Sequence, residues 1–281
     1  STLADDGDIT QTGFGFSVGR HPGEFDLSKA AREAADRATR LLGAVKPPSK
    51  RTTVVLDPMV TAQFLGIIGS TLNGESVVKG RSMFANRLGE TVASPLIPLI
   101  DDPTDSRAYT ASEMDSDGLA ARRNVLIEGG QLKMFVHSSY SARRAGTKST
   151  GNAVGAGAGC LALQLVPGTK SQAELIAGID DGVLIDSVQG LHSGVNPISG
   201  DFSTGASGLI IRNGQTATVF KVNLSDPRVV EAAGVCGADS VWLCNEHVPT
   251  DWIGLENQIR AARVHDMDSI VRVSRGSYSD Y

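Results

Sequence analysis

Residues 208–220 read GLIIRNGQTATVF, and this stretch predicts a pair of neighbouring strands. The dipeptide Asn213-Gly214 separates two apolar runs, residues 209–211 and 216–220. Both residues of the dipeptide adopt a positive φ readily, as the tight turn between two antiparallel strands requires. We therefore predict a β-hairpin at this point of the chain.

The chain before this hairpin is predicted to combine helices with further strands. Residues 125–127 are expected to face residues 132–136 across the turn Glu128-Gly129-Gly130-Gln131, which makes a second hairpin. Apolar periodicity predicts helices after Asp26 and over residues 60–72 and 171–177, and strands over residues 52–56 and 183–188. The predicted fold class is α+β, a strand-rich body with an N-terminal helix–strand–helix part.

The chain after the hairpin has a different pattern. Helices are predicted over residues 226–233 and 255–263, and strands over residues 240–243 and 269–273. Alternation at this spacing is typical of parallel βαβ units. So few parallel strands do not cover their own faces, so we expect an incomplete βα fragment that the chain leaves unfinished at Tyr281.

Composition and charge narrow the classes of function. The 281 residues are 41% hydrophobic and 20% charged, enough for a buried core in one large domain or two ordinary ones. The net charge of −5 provides no basic surface for nucleic acid or an anionic membrane. No apolar run approaches the roughly 20 residues of a spanning helix, and the polar start is unlike an export signal. We expect no nucleic-acid partner and no membrane partner.

The cysteines and histidines do not form a recognisable site. Cys160, Cys236 and Cys244 lack CxxC spacing, which argues against a disulfide framework or a thiolate zinc site and favours a reducing cytoplasm. The histidines are scattered, and such residues are more often core or surface groups than metal ligands. We predict no metal site from the residues themselves.

Three polar segments have both a functional and a structural interpretation. Gly155, Gly157 and Gly159 suggest a phosphate loop, but the pattern is incomplete, and a packed loop is preferred. Asp115 and Asp117 flank a tight turn, where carboxylates more often accept backbone N–H groups than polarise a substrate. Residues 149–152 are a loop by propensity and could also present polar groups to a peptide.

Residues 190–203 (GLHSGVNPISGDFS) are richer in glycine and polar groups than a connector needs. His192 could act as an acid or base with Asp201 as its orienting carboxylate, because imidazole titrates near neutral pH. The alternative is a tightly turned structural loop. A serine nucleophile is not predicted, since the GxSxG pattern is missing.

Several dispersed motifs together resemble the TldD/PmbA family, and the resemblance covers residues 1–214. In chain order, these are residues 57–58, 80–82, 88–95, 115–118, 149–153, 165–168, 190–203 and Gly208. The family is known for a cytoplasmic heterodimeric peptidase that cuts linear or unfolded peptides. One subunit carries a helical His-Glu-x-x-x-His zinc motif, and its PmbA-type partner, also called TldE, lacks it.

The resemblance implies that this chain is the metal-free subunit. The three motif positions fall on Gly66, Ile67 and Thr71 of the predicted helix 60–72, and none of these side chains binds zinc or acts as a general base. No cofactor is therefore expected in this chain, and zinc is expected on a TldD-like partner subunit. The residues predicted to line the substrate cleft are His192, Asn196, Asp201 and Ser203.

The tail, residues 215–281, resembles the beginning of a HpcH/HpaI class II aldolase, a TIM barrel that acts on 2-oxo acids with a divalent metal. The resemblance makes His247 the acid/base and Arg272 the group that holds the oxo-acid carboxylate, while Cys244 stands where members often have aspartate. The family's metal ligands would follow Tyr281, so a metal is expected only in a complete barrel. We interpret the junction near residues 213–219 as a truncated or artificially fused reading frame. A 2-oxo-acid lyase and a non-catalytic scaffold are the rival functions.

Overall fold

The computed structural model describes residues 1–5, 7, 10–42, 44, 47, 49–217, 219–222, 224–236, 238–244 and 251–272. Its helices are α1 (Leu27–Thr39), α2 (Pro58–Thr71), α3 (Gly74–Val78), α4 (Ser139–Ala145), α5 (Gln172–Ala177), α6 (Leu191–Gly194), α7 (Pro227–Val235) and α8 (Trp252–Val264). No helix among the described residues is both long and apolar enough to cross a membrane.

The strands form three main sheets and two small ribbons. The first sheet has the order β12 (Gln215–Ala217), β11 (Gly205–Arg212), β10 (Asp181–Gln189) and β3 (Thr53–Leu56). The second sheet has the order β6 (Gln131–Leu132), β5 (Asn124–Glu128), β4 (Leu99–Asp101) and β9 (Leu163–Leu165). The third contains β13 (Val219–Val222), β14 (Ser240–Cys244) and β15 (Asp268–Arg272), and the ribbons pair β1 (Thr2–Asp5) with β2 (Thr10–Gly13) and β7 (Ala153–Val154) with β8 (Gly157–Ala158).

The hairpin predicted at Asn213-Gly214 is present. Strand β11 pairs antiparallel with β12, and both turn residues have positive φ, 47° and 78°. The predicted second strand was too long, because its pairing with β11 stops at Ala217 and β13 joins β14 in another sheet. The change of sheet therefore falls after Ala217, a few residues beyond the predicted domain boundary at 214, which itself stays a prediction.

The hairpin predicted around residues 128–131 is also present but shorter than expected. Gly129 and Gly130, with φ of 55° and 81°, make the turn between β5 and β6. Residues 133–136 do not continue β6, because Val136 instead forms a bridge with Asn73. The hairpin contributes Leu126, Ile127 and Leu132 to the core built on α2 and the second sheet, described below.

Two apolar cores lie in different parts of the chain. One is built on α2 and the second sheet, with the buried side chains of Leu72, Phe84, Leu99, Leu126, Ile127, Leu132 and Val136. The other lies in the α7–α8 region, with Val230, Ala233, Val241, Leu243, Leu255, Ala261, Ala262 and Met267. Strand β14 runs parallel to both β13 and β15, as the predicted βαβ pattern requires. The likeness of this unit to a barrel aldolase stays a prediction.

Helix α1 is held against the first sheet and the start of α2 by two ion pairs. The helix begins after Asp26, whose carboxylate accepts a hydrogen bond from the Lys29 N–H at 2.7 Å. Arg37 contacts Asp57 at 3.0 Å, and Arg40 contacts Asp186 of β10 at 2.7 Å. These pairs position the N-terminus of α2, because Asp57 also caps that helix through the Met59 N–H.

Candidate functional site

One side of α2 faces the loop of residues 190–203 across a small apolar pocket. Phe64, Ile67, Ile68 and Thr71 follow the i, i+3, i+4, i+7 spacing of one helical face. The remaining lining residues are Met83, Val195, Asn196, Pro197, Gly200 and Phe202. The cavity has a volume of about 180 Å³, and we call it the α2 pocket.

The loop over the pocket is fixed by backbone hydrogen bonds. Val195 and Phe202 form an antiparallel bridge, and the Asn196 N–H donates to the Asp201 carbonyl at 2.9 Å. The Met83 N–H donates to the Pro197 carbonyl at 2.8 Å, which ties the loop to the segment after α3. The loop is therefore an ordered wall of the pocket.

Glycine is required at two positions of this wall. Gly200 has a φ of 81°, and a Cβ built there would lie 3.1 Å from the Met83 Sδ. A Cβ on Gly194 would collide with the Ser203 carbonyl oxygen. The high glycine content of residues 190–203 thus has a structural cause.

The side-chain oxygens of the two polar residues of the pocket have partners within their own segments. The Thr71 side chain is buried, and its Oγ1 donates to the Ile68 carbonyl at 2.6 Å. The Asn196 Oδ1 accepts the Ile198 N–H at 3.0 Å within the loop. The pocket is therefore lined almost entirely by carbon and sulfur atoms.

Comparison with known proteins assigns the family. Residues 49–227 match the family described as PmbA/TldA metallopeptidase C-terminal domain. The chain belongs to this family. It is 31% identical to a metalloprotease of Methanocaldococcus jannaschii over 198 residues, which are 68% of this chain and 44% of that protein.

Two solved structures share the mixed α/β fold with several sheets. TldE of Thermococcus kodakarensis superposes with a TM-score of 0.63 at 29% identity, over 76% of this chain and 50% of that one. A Thermotoga maritima protein named as a candidate modulator of a DNA gyrase gives 0.73 at 30% identity, over 77% and 50%. This chain spans about half the length of the relatives it matches.

The residues on α2 do not fit a zinc ion, although the PmbA/TldA family is one of metallopeptidases. Ile67 and Thr71, two of the three positions predicted to correspond to the zinc motif, line the α2 pocket. Gly66, the third, is exposed and has no atom within 4 Å of where a Cβ would stand. Among the residues the structure describes, no group of three His, Cys, Asp or Glu side chains is placed to hold a metal ion.

The predicted cleft residues all belong to the loop of residues 190–203. His192, Asn196, Asp201 and Ser203 are all exposed, and Asn196 also lines the pocket. The Asp201 Oδ2 accepts a hydrogen bond from the Ser199 Oγ at 2.7 Å, and in the described part of the chain no hydrogen bond joins it to His192. The loop therefore has a structural role, and contact of these four residues with substrate stays a prediction.

The other polar segments are structural. Asp115 accepts backbone N–H groups from Asp117, Leu119 and Ala153 at 2.9–3.0 Å, as the turn interpretation predicted. Asp117 accepts the Ser139 N–H at the start of α4 at 2.9 Å. Residues 155–159 form the turn and the second strand of the β7–β8 ribbon instead of a phosphate loop.

The remaining titratable groups are His137, the partly buried Cys160 and the aldolase-like pair. Burial lowers the pKa of His137, whose Nδ1 lies 3.2 Å from the Ser141 Oγ. Burial and the neighbouring Asp101 raise the pKa of the Cys160 thiol to about 12, so it stays protonated. His247 lies outside the described residues, and Arg272 is the last residue of β15, so their roles stay predictions.

The aromatic walls of the pocket were not predicted from the sequence. Phe64 was detectable, because it lies on the same helical face as Ile67 and Thr71. Phe202 lies inside the loop of residues 190–203, where only polar residues were predicted to line the cleft. The position of Met83 in the pocket could not be predicted from its neighbours in sequence, since only the folded chain brings it to α2.

Proposed function

We propose that this chain is the metal-free, TldE-like component of a PmbA/TldD-type metallopeptidase, and that a TldD-like partner subunit carries the catalytic zinc. One observation supports this proposal above all. Ile67 and Thr71, at positions predicted to correspond to the zinc motif, line an apolar pocket and offer no ligand. The family match and the likeness to TldE agree with it.

The proposed division of work follows from the side chains present. This chain supplies an ordered loop and an apolar cavity at the place where a catalytic subunit would hold its metal. It would therefore bind and orient part of a linear or unfolded peptide, while the partner's zinc performs the hydrolysis. A reducing, cytoplasmic setting is part of the proposal, because Cys160 and Cys236 are free.

Mixing the full chain with a zinc-bearing TldD-type subunit from the same organism tests the proposal. We expect the hydrolysis of a linear fluorogenic peptide to rise by about tenfold or more over the partner alone, because correct substrate orientation lowers the barrier strongly. The rate is followed by fluorescence at fixed partner concentration, and this chain alone is expected to show none.

A matched pair of variants separates the pocket from the rest of the surface. Phe202→Ala removes an exposed wall of the pocket and is expected to reduce the activation, whereas Leu96→Ala removes an apolar side chain that is 85% exposed elsewhere and should leave it unchanged. If the partner cleaves peptide equally well without this chain, the peptidase-component proposal is wrong. Binding without activation would favour the scaffold function instead.

A further inference from the structure

We propose that the α2 pocket binds one phenyl-sized apolar side chain of a linear peptide. That the ligand is a peptide rests on the proposed function. The preference for one kind of side chain follows from the cavity. The chain would then bind peptides selectively, with a preference for a phenylalanine side chain at one position. The proposal is argued from the size, lining and access of the pocket.

The size of the cavity matches a benzene ring. An engineered apolar cavity of about 150 Å³, lined by leucine, isoleucine and phenylalanine, stays dry and binds benzene. The α2 pocket has a volume of about 180 Å³, and its walls include Phe64, Ile67, Ile68 and Met83. A phenyl group therefore fits, whereas the ring system of tryptophan would need the walls to move.

The aromatic wall favours an aromatic guest. Phe64 and Phe202 contact each other edge to face, with ring centroids 4.8 Å apart and an interplanar angle of 81°. A third ring can add the same kind of contact, which benefits from the opposite charges of ring faces and edges. Met83 provides a flexible, polarisable wall that adapts to the guest.

The polar lining residues exclude charged guests. The Thr71 Oγ1 and the Asn196 Oδ1 already have partners within their own segments. A carboxylate or ammonium group that entered the pocket would lose its water without gaining a counter-charge from the lining residues, which is costly. Peptides with aspartate or lysine at the selected position should therefore bind poorly.

The pocket is open to a peptide from the loop side. Phe202 is 46% exposed although it lines the cavity, and Ile67 is only partly buried. Gly200 leaves the wall without a side chain beside the Met83 sulfur. A side chain can thus enter from solvent without unfolding the loop.

Ligand-observed saturation-transfer NMR on the full chain alone tests the inference. The probes are acetyl-Ala-Ala-Phe-Ala-Ala-amide and the same peptide with alanine or aspartate in place of phenylalanine. We expect saturation of the phenyl protons, and binding of the phenylalanine peptide at least about tenfold tighter than that of either other peptide, because only it buries a ring.

Two pocket variants and one control complete the experiment. Ile67→Phe fills the cavity from a partly buried wall, and Phe202→Ala opens it from an exposed one, so both are expected to lose at least about nine-tenths of the phenylalanine preference. Leu96→Phe adds the same ring outside the pocket and should preserve it. Thermal melting shows whether each variant is folded. If one pocket variant does not fold, the other one alone tests whether the preference depends on the pocket.

The outcomes separate this inference from the proposed function. Equal binding of the phenylalanine and alanine peptides, or a preference that survives both pocket variants, would overturn the inference even if the chain activates a zinc-bearing partner. A phenylalanine preference that depends on the pocket would support it even if activation fails, in which case the proposed peptidase role would be lost.

Discussion

Replacing Asn152 by alanine is expected to lower the free energy of unfolding by about 3–5 kcal/mol, because it removes the side-chain donor of a buried carboxylate and leaves further buried polar groups unpaired. Asn152 is fully buried, and its Nδ2 donates to the Asp101 Oδ2 at 2.6 Å. Its Oδ1 accepts from the Asn124 Nδ2 at 2.9 Å and from the Thr150 Oγ1 at 2.7 Å. The Asn152 Nδ2 also donates to the Gly159 carbonyl at 3.1 Å. The substitution breaks all four bonds and adds a small cavity, while the Asp101 Oδ1 keeps its bond from the Ala162 N–H.

The pH dependence of this loss has a definite sign. Burial raises the pKa of Asp101 above its usual value, while the hydrogen bond from Asn152 lowers it. Without Asn152 the pKa of Asp101 in the folded protein rises further. A carboxyl group whose pKa is higher in the folded than in the unfolded protein contributes stability below its unfolded-state pKa, and this stability is lost as the pH rises through its folded-state pKa. The deficit of Asn152→Ala should therefore be larger at pH 7 than at pH 4.

Urea unfolding at the two pH values measures this prediction. Asn257→Ala is the matched control, since Asn257 is an exposed residue of α8 and alanine favours a helix. The control should change stability by less than about 0.5 kcal/mol. An Asn152→Ala loss as small as that of the control would show that Asp101 and Asn152 do not form the described buried network.

Replacing Arg40 by alanine is expected to cost about 2–4 kcal/mol at neutral pH. Arg40 is the ion partner of Asp186, whose side chain is buried within β10, and apart from this contact no hydrogen-bond partner meets either Asp186 oxygen. Burial, together with the nearby Asp57, raises the pKa of Asp186, and Arg40 opposes the shift. Removing Arg40 leaves a buried carboxylate without its ion partner, and the charge of Arg37 stabilises it less than that of Arg40.

The pH dependence of the Arg40→Ala loss has the same sign as that of Asn152→Ala. Without Arg40 the folded pKa of Asp186 rises further, so stability is lost as pH rises, and the difference from the wild type should shrink towards pH 4. The double variant Arg40→Ala/Asp186→Ala removes both charges and should be more stable than Arg40→Ala at pH 7. Arg32→Ala, an exposed position on the same helix, is the control. Equal deficits at both pH values would contradict the assigned ion pair.

Local patterns predicted the elements well. The Asn213-Gly214 turn, the capped starts of α1 and α5, and the alternation from α7 to β15 all depend on residues close together in sequence. The bounds were less accurate where tertiary contacts compete with local preference. Helix α2 begins at Pro58, two residues before the predicted start, because Asp57 both caps it and pairs with Arg37.

The arrangement of the elements could not be predicted from local patterns. Strand β3 pairs in parallel with β10, although Leu56 and Ile185 lie more than a hundred residues apart in sequence. The α2 pocket is likewise formed by α2, Met83 and the loop of residues 190–203. The resemblance placed Ile67 and Thr71 at the zinc positions, but only the folded chain shows that they face an apolar cavity.

The metal content of the purified full chain tests whether this chain is a metal-free subunit. Elemental analysis should be combined with a peptide-cleavage assay with and without a chelator, and a TldD-type protein that carries the His-Glu-x-x-x-His motif serves as the positive control. We expect zinc far below one ion per chain and no cleavage that the chelator abolishes, because Gly66, Ile67 and Thr71 offer no ligand. One tightly held zinc per chain, with chelator-sensitive cleavage by this chain alone, would contradict it.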